Sequence, residues 1–235
     1  GEIEGRPVVL FLSGVSMTNA AVNTQLALDR FVIRRIVFSG VAGGVDPALH
    51  VGDVVVPARW APYMEAVFER SGPERPRPPG LAFAPFGMMR PHPWPIIGPQ
   101  GPETRFWFPA DPALLEVARR SATTTPLRRC LEASHCLPEA PRIVIGGGGL
   151  SAPVFMDNAE YRAYLAASFA AQAVDMESAA VAQVAYMRGV PFIAFRSLSD
   201  LAGGDPGENG FSTFVSLAAD NAATTLRAFL RALPD

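Results

Sequence analysis

Residues 173–200 read AVDMESAAVAQVAYMRGVPFIAFRSLSD, and this stretch decides the fold. Apolar residues recur at three- and four-residue spacing between Met176 and Met187, as on an amphipathic helix. Gly189 stops that helix, and Pro191 prevents its continuation. The apolar run 191–195 predicts a buried strand, and polar residues follow it at once. In an open α/β sheet, groups just past the carboxyl end of a strand line the ligand crevice, so this polar end is a candidate site.

The rest of the chain alternates in the same way, which indicates a largely parallel sheet with helices on both faces. Apolar runs predict strands over 8–12, 33–38, 51–56 and 142–145, the first following a hairpin arm that starts at Glu2. Helices are predicted from an N-cap at Asn19 to Phe31, from Pro112 (N-cap Asp111) to before Pro126, from Asp157 or Asn158 through Leu165, and over 211–233. The small-residue runs 39–44 and 146–149 are expected to form turns that approach a ligand closely.

Residues 60–112 interrupt this rhythm with many prolines and aromatic residues. Pure disorder would be poorer in aromatic residues, so the segment is interpreted as a long irregular insertion whose rings pack on the body. It covers a pocket, forms a subunit contact, or is a surface excursion without a role. The sequence leaves these three alternatives open.

Composition excludes several classes of function. The 235 residues suit one α/β domain, and the net charge of −2 argues against a nucleic-acid binder driven by charge. No apolar run reaches the roughly 18 residues of a membrane span, so no membrane partner is predicted. The chain contains no lysine, which excludes a Schiff-base lysine and a phosphate-loop lysine.

The chain starts at Gly1 without an initiator methionine, and we interpret it as lacking its natural N-terminus, so targeting cannot be judged. Cys130 and Cys136 form a disulfide or are two unrelated buried thiols, and both interpretations stay open. A disulfide would indicate a periplasmic or secreted protein, and free thiols are compatible with a cytoplasmic one. His135 alone cannot complete a zinc site, and no metal is predicted.

Four segments together carry a family resemblance. They are SGVSMTNAA (13–21), VFSGVAGGVDPALHVGDVVVP (37–57), SAPVFMDN (151–158) and VDMESAAVAQVAYMRGVPFIAFRSLSD (174–200). Their order and spacing resemble the nucleoside phosphorylase and nucleosidase superfamily, and the chain looks closest to its 5′-methylthioadenosine/S-adenosylhomocysteine nucleosidase branch. The resemblance implies one nucleoside-phosphorylase-like domain over 1–235, a three-layer α/β/α fold with a twisted mixed central sheet, a homodimer, and neither cofactor nor metal.

The resemblance also implies a reaction, the hydrolysis of a purine nucleoside. Breaking the N-glycosidic bond needs protonation of the leaving purine, hydrogen bonds to the sugar hydroxyls and a water on the opposite face. Asp200 matches the acid that protonates the purine, once burial has raised its pKa. Glu177 matches the acceptor for the ribose hydroxyls, and Arg196 a residue that places the water.

Further residues match the family's binding positions. Met176 is expected against the sugar, and Phe155 is expected to stack on the purine. The remaining expected contacts are Ser199 and the Met156 backbone beside the purine, the backbones of Ala42 and Gly43, and Ser13 on the water side. Asp175 is expected to stabilise the helix start, since the family often has Glu there.

Alternatives to hydrolysis are a phosphorylase and a non-catalytic nucleoside-binding or storage protein. Phosphorylase relatives hold phosphate with an Arg two residues before the first Gly of the small-residue run, and this chain has Phe38 there. Val41 likewise replaces a hydroxyl residue, so water is favoured as the nucleophile. The family's water-activating Glu belongs to a segment that this sequence does not contain.

Overall fold

The structure is a computed structural model that describes residues 1–69, 83–131 and 135–234. Its helices are α1 (Met17–Arg30), α2 (Pro112–Ala122), α3 (Ala159–Phe169), α4 (Ser178–Met187) and α5 (Phe211–Ala232). Its strands are β1 (Glu2–Ile3), β2 (Arg6–Pro7), β3 (Ile36–Gly44), β4 (Val54–Val56), β5 (Arg59–Pro62), β6 (Ala66–Phe68), β7 (Met89–Pro91), β8 (Trp94–Gly98), β9 (Gly101–Arg105), β10 (Phe108–Pro109), β11 (Ile143–Ile145), β12 (Gly148–Ser151), β13 (Ala171–Asp175) and β14 (Phe192–Asp200).

A mixed eight-stranded sheet forms the centre, in the order β10-β5-β12-β13-β3-β14-β4-β11. β14 runs parallel to β3 and antiparallel to β4, whereas β13 is antiparallel to β3. Residues of α2 and α5 pack in one apolar cluster, and residues of α1 and α4 pack in another. The twisted mixed sheet implied by the resemblance is confirmed, and the largely parallel sheet expected from the alternation is wrong in this respect.

The β13–α4–β14 unit lies in the middle of this sheet. α4 begins at Ser178 and ends before Gly189, whose φ of 64° lies in the left-handed region that favours glycine. β14 extends through Asp200, and every residue in it is buried. The expectation that the strand stops at Phe195 is therefore wrong. The polar residues 196–200 remain in the strand because neighbouring elements satisfy them, as when Ser197 Oγ donates to the carbonyl of Gly52.

The first small-residue run, 39–44, completes β3 instead of forming the expected turn. The second run, 146–149, is divided: Gly146 and Gly147, both with positive φ, form the expected bend after β11, and Gly148 and Gly149 belong to β12. Their glycines make room for large groups on adjacent elements. A Cβ on Gly149 would lie 2.6 Å from the indole of Trp60, and one on Gly43 would lie 2.9 Å from Asp200 Oδ1.

The N-terminal segment differs from its prediction. β1 and β2 form the expected hairpin, but residues 8–12 are not a strand, and Leu10 and Leu12 are 81% and 91% exposed. In the described part of the chain no strand pairs with these residues, so their apolar pattern alone does not make them one. α1 begins after Ser16, three residues before the predicted cap, and the Asn19 side chain instead donates to the carbonyl of Val15.

The insertion is more regular than expected. Its two ends, β5 and β10, pair with each other in the central sheet, and two hairpins lie between them. Its aromatic rings pack on the body as predicted. Phe83 contacts Phe106 and Phe169, and Trp60 is fully buried. The Pro-rich residues 70–82 lie outside the described ranges.

The remaining helices match their predictions. Asp111 Oδ1 accepts from the amide of Leu114 at the start of α2, and Asn158 Oδ1 caps α3 through the amide of Tyr161. Cys130 and Cys136 are joined by a disulfide, which decides between the two alternatives for these cysteines. Among the described residues, no helix combines the length and apolar character needed to cross a membrane.

Candidate active site

A cavity of about 300 Å³ opens where β13, β3 and β14 meet. It is lined by Val15, Val41, Ala42, Gly43, Val154, Phe155, Met156, Val174, Asp175, Met176, Glu177, Arg196, Ser199, Asp200 and Phe211. The structure therefore brings together nine of the ten residues singled out from the sequence. The tenth, Ser13, lines a second and smaller cavity beside α1, and its carbonyl accepts from the side chain of Asn23.

Glu177 stands at the junction of β13 and α4. Its Oε1 accepts from the amide of Ser16, which precedes α1, at 2.9 Å. Burial raises the pKa of Glu177, and the nearby Asp175 carboxylate raises it further. Its Oε2 lies 3.6 Å from Arg196 Nη2. One carboxylate oxygen is thus anchored, and the other faces the cavity beside a cation.

Asp175 organises the start of α4. Its Oδ1 accepts from the amides of Glu177 and Ser178 at 3.1 and 3.0 Å, and from the hydroxyl of Ser151. These bonds satisfy amides that have no partner within the helix. Asp175 thus stabilises the start of the helix, as the sequence predicts. The same hydrogen bonds also hold the backbone of Glu177 in place.

Arg196 lies almost completely buried in β14, with its side chain 5% exposed. Its Nε donates to Ser178 Oγ at 2.9 Å and lies 2.8 Å from Asp175 Oδ2. Its Nη1 donates to the carbonyl of Val41, whereas Nη2 has no hydrogen-bond partner in the described residues. The buried guanidinium is thus held through Nε and Nη1, and its Nη2 amino group retains N–H donors for a bound molecule.

The aromatic ring of Phe38 also contacts this guanidinium. The Arg196 Cζ atom lies 4.4 Å from the centre of the Phe38 ring, in a cation–π contact. Gly40, also on β3, leaves room for Nη1, because a Cβ at that position would collide with it. The position at which the resemblance implies an Arg in phosphorylases therefore holds an aromatic ring that supports a different Arg.

Asp200 lies at the end of β14 on another wall of the cavity. Its Oδ1 accepts from the amide of Ala202 at 2.8 Å, and its Oδ2 accepts from Ser199 Oγ at 2.9 Å. Burial is the largest influence on this carboxyl and raises its pKa above the ordinary value. The residue is 2% exposed, so the carboxyl retains its proton to higher pH than an exposed aspartate does.

Apolar side chains form the rim of the cavity. Phe155 is 54% exposed and contacts Phe211 edge-to-face at 5.4 Å between ring centres. Phe211 and Val15 line the cavity although sequence reasoning did not select them. Val15 lies far in sequence from the acidic residues. The signal for Phe211 was its position as the first residue of the helix that follows Asp200.

Metal binding receives no support from the geometry. Within the described ranges, no group of three or more His, Cys, Asp or Glu side chains is placed to hold a metal ion. Asp175 and Glu177 already have an arginine and backbone amides as partners. The cavity instead presents two carboxylates and a guanidinium on one side and a single buried acid on the other.

Comparison with known proteins identifies the family. A family model described as the phosphorylase superfamily matches residues 1–233. The chain belongs to the phosphorylase superfamily. Both the predicted family and the predicted fold class are confirmed.

Two curated members of the superfamily illustrate the similarity. The 5′-methylthioadenosine/S-adenosylhomocysteine nucleosidase of Mycobacterium bovis is 33% identical over 234 residues, covering 100% of this chain and 84% of the relative. The nucleosidase of the same name from Psychromonas ingrahamii is 31% identical over 224 residues, covering 95% of this chain and 80% of the relative.

Solved structures of the superfamily agree with this relationship. The Neisseria meningitidis nucleosidase of the same name, in complex with methylthio-immucillin-A, matches with a TM-score of 0.71 at 28% identity, over 99% of this chain and 84% of that chain. The Colwellia psychrerythraea nucleosidase, in complex with adenine, matches with a TM-score of 0.70 at 26% identity. This match covers 99% of this chain and 81% of that chain. Both likenesses extend over almost the whole of this superfamily member.

Proposed function

We propose that this protein hydrolyses the N-glycosidic bond of a purine nucleoside, of the 5′-methylthioadenosine or S-adenosylhomocysteine type, into free purine and sugar. One observation carries the proposal. A buried carboxyl with a raised pKa, Asp200, lies in the same cavity as the Glu177–Arg196 pair. The names of the similar proteins support the same reaction.

Asp200 is the proposed acid. It donates its proton to N7 of the leaving purine, because protonation makes the purine a better leaving group. The purine lies against Phe155, whose exposed ring is free to stack on it, and beside Ser199 and the backbone of Met156. The backbones of Ala42 and Gly43 form the floor of the cavity next to Asp200.

Glu177 and Arg196 are proposed to act on the sugar side. Glu177 accepts hydrogen bonds from the ribose hydroxyls, and these bonds strengthen as the sugar becomes cationic. Met176 packs against the sugar. Arg196 places the attacking water through Nη2, the donor without a partner in the described residues.

Charge balance favours water over phosphate. Arg196 is accompanied by Asp175 at 2.8 Å and Glu177 at 3.6 Å, so its positive charge is already compensated. A phosphate dianion there would face two carboxylates, and Phe38 and Val41 would offer it apolar surface. Among the described residues, the lining of this cavity thus offers phosphate no cation that is not already compensated, which supports water as the nucleophile.

The nature of the sugar product tests this choice of nucleophile. In phosphate-free buffer the protein is expected to convert 5′-methylthioadenosine into adenine and free 5-methylthioribose, identified by mass spectrometry. Added phosphate is expected to leave both the rate and the products unchanged. A requirement for phosphate, with formation of a sugar 1-phosphate, would show that the protein is a phosphorylase.

Residues 1–235 are proposed to form one domain, with 60–112 as its insertion, that assembles as a homodimer. The apolar surface around α1 supports the dimer, because Val22 and Phe31 are about half exposed and Val32 is fully exposed. Light scattering on the purified protein is expected to give twice the 25.0 kDa mass of one chain. A mass of 25.0 kDa at micromolar concentration would contradict a stable dimer.

The disulfide supports an extracytoplasmic location, because such bonds persist in oxidising compartments. It closes a six-residue separation beside α5, where Asn221 bonds both the amide and the carbonyl of Arg128. Reduction is expected to lower the free energy of unfolding by about 2 kcal/mol, from the entropy that the loop regains in the unfolded chain.

Thermal unfolding with and without reductant measures this effect, and a Cys130→Ser/Cys136→Ser double variant is the matched control. The variant should unfold at the Tm of the reduced protein and should not respond to reductant. Complete alkylation of both cysteines in the native, unreduced protein would contradict both the bond and the proposed compartment.

A further inference from the structure

Asn209 lies in the loop between β14 and α5 and contacts three parts of the cavity wall. Its Nδ2 donates to Asp157 Oδ1 at 2.9 Å, and its Oδ1 accepts from the amide of Phe211 at 2.9 Å. The same amide lies close enough to the Asp200 carboxyl to lower the pKa of that group through a hydrogen-bonding interaction. One partly buried amide thus bonds the residue after Met156 and the first residue of α5 and lies beside the proposed acid.

We propose that Asn209 is a positioning residue that fixes the Asp200 carboxyl relative to the purine-binding segment 155–157 and to Phe211. The inference rests on the proposed role of Asp200 as the acid. Asn209 acts through these neighbours, and no contact with the substrate is needed for its role.

An amide fits this position for a chemical reason. Asn presents two N–H donors and a carbonyl acceptor, so it serves two carboxyl groups and one backbone amide together. An Asp there would lack the donors and would place a third carboxylate between Asp157 and Asp200. A Ser or Ala would be too short to span the three partners.

A second contact shows that the two loops are closely packed. The amide of Asn158 donates to the carbonyl of Ala202 at 3.2 Å. Gly203, with a φ of 90°, lies so close to Asn158 that a Cβ would collide with its backbone. Asn209 adds the side-chain connection, so the loop that follows Asp200 is attached at two points to the segment that carries Phe155.

The charged groups around Asp200 come from several elements. Asp205 lies on the loop that follows Asp200, Asp157 lies just before α3, and Arg162 lies on α3. Those across the cavity are Asp175, Glu177 and Arg196. The negative charge of Asp205 raises the pKa of Asp200, and the hydrogen bond from Asn209 lowers it. Asp205 and Asn209, two residues of one loop, therefore shift the pKa of the same carboxyl in opposite directions.

This opposition provides the test. In the wild type, kcat/KM is expected to fall at high pH as Asp200 loses its proton. Asn209→Ala removes the donated bond, so this basic limb is expected to move to higher pH. Asp205→Asn removes the charge while keeping an oxygen for the amide of Leu201, so the limb is expected to move to lower pH. Asn209→Ala should also raise KM roughly two- to tenfold, because Phe211 and the purine-binding segment lose one hydrogen bond each.

The titration of Asp200 is measured in parallel by carbon NMR of Asp-labelled protein, with Asp200→Asn to assign the signal. This readout does not depend on turnover. If the wild type releases no purine, the proposed function fails, and the NMR titration still decides the role of Asn209. Opposite shifts of the Asp200 titration in the two loop variants support the proposal. An unchanged Asp200 titration in folded Asn209→Ala, with or without loss of activity, overturns it.

Discussion

Asp200→Asn is expected to reduce kcat for purine release by about 10²- to 10⁴-fold, the usual contribution of a general acid. The amide has nearly the shape of the carboxyl and retains an acceptor for the amide of Ala202. It cannot supply a proton to the purine. Steady-state adenine release from 5′-methylthioadenosine measures the effect.

The same substitution is not expected to lower stability. Burial raises the folded-state pKa of Asp200 above its ordinary value of 3.8, so the folded state binds this proton more tightly than the unfolded state. The stability contributed by that proton is present at low pH and is lost as pH rises through the folded-state pKa. At pH values above the folded-state pKa the ionised carboxyl costs stability, and Asn removes this cost, so Tm should be equal or higher.

Asp220→Asn is the matched control for Asp200→Asn. Asp220 lies on α5, is about half exposed and pairs with Arg128 away from the cavity. Its substitution should leave turnover within a factor of about two, since exposed ion pairs contribute little. Unchanged turnover in Asp200→Asn itself would remove the acid from the mechanism.

Glu177→Gln is expected to lower kcat/KM on the order of 10²-fold, comparable to the loss of one transition-state hydrogen-bonding group. The neutral amide still meets the sugar hydroxyls but no longer balances the positive charge that develops on the sugar. In the wild type, protonation of Glu177 should make kcat/KM fall at acid pH. Because the pKa of Glu177 is raised, this fall should begin at higher pH than it would for an exposed Glu. The variant should show no such fall.

A substrate without the 2′-hydroxyl separates this role from a structural one. The 2′-deoxy analogue should be a poorer substrate for the wild type, and Glu177→Gln should discriminate less between the two nucleosides. Glu160→Gln, in the exposed first turn of α3, is the control and should behave as the wild type. Equal discrimination by wild type and Glu177→Gln would place Glu177 away from the sugar.

Local pattern predicts the elements of this fold better than their ends. Residues 173–200 give the helix and the following strand, because apolar periodicity and the Gly189–Pro191 break are local signals. The return of polarity at Arg196 was misleading. Strand β14 continues because its polar side chains find partners that are distant in sequence, as Ser199 does at the carbonyl of Ala42.

Residues 8–12 show the opposite error, because a strand was predicted there and the structure has none. Five consecutive apolar residues favour a strand, yet a strand also needs a neighbouring strand that satisfies its backbone. Among the described residues no strand pairs with 8–12, and the backbone bonds of this run are those of Val8 to Gly1. Sequence pattern reports which side chains prefer burial. It does not report whether a partner strand is present.

The candidate site was predictable where its residues share a motif. Met176, Glu177, Arg196, Ser199 and Asp200 come from one stretch, and they line one cavity. The contributions of Phe211, of the Ser16 amide and of Asn209 depend on loops that meet only in the folded chain. Ser13 was selected because the resemblance implies a place for it on the water side, and the structure places it beside another cavity.

The central claim is that this cavity catalyses hydrolysis and does not merely bind a nucleoside. Its most direct test is a time course of adenine release by the purified protein, with 5′-methylthioadenosine in phosphate-free buffer and thermal shifts recorded on the same samples. The account predicts many turnovers, with one free sugar formed for each adenine released. A rise in Tm on adding the nucleoside, with no adenine released, would contradict it and show that the protein only binds its ligand.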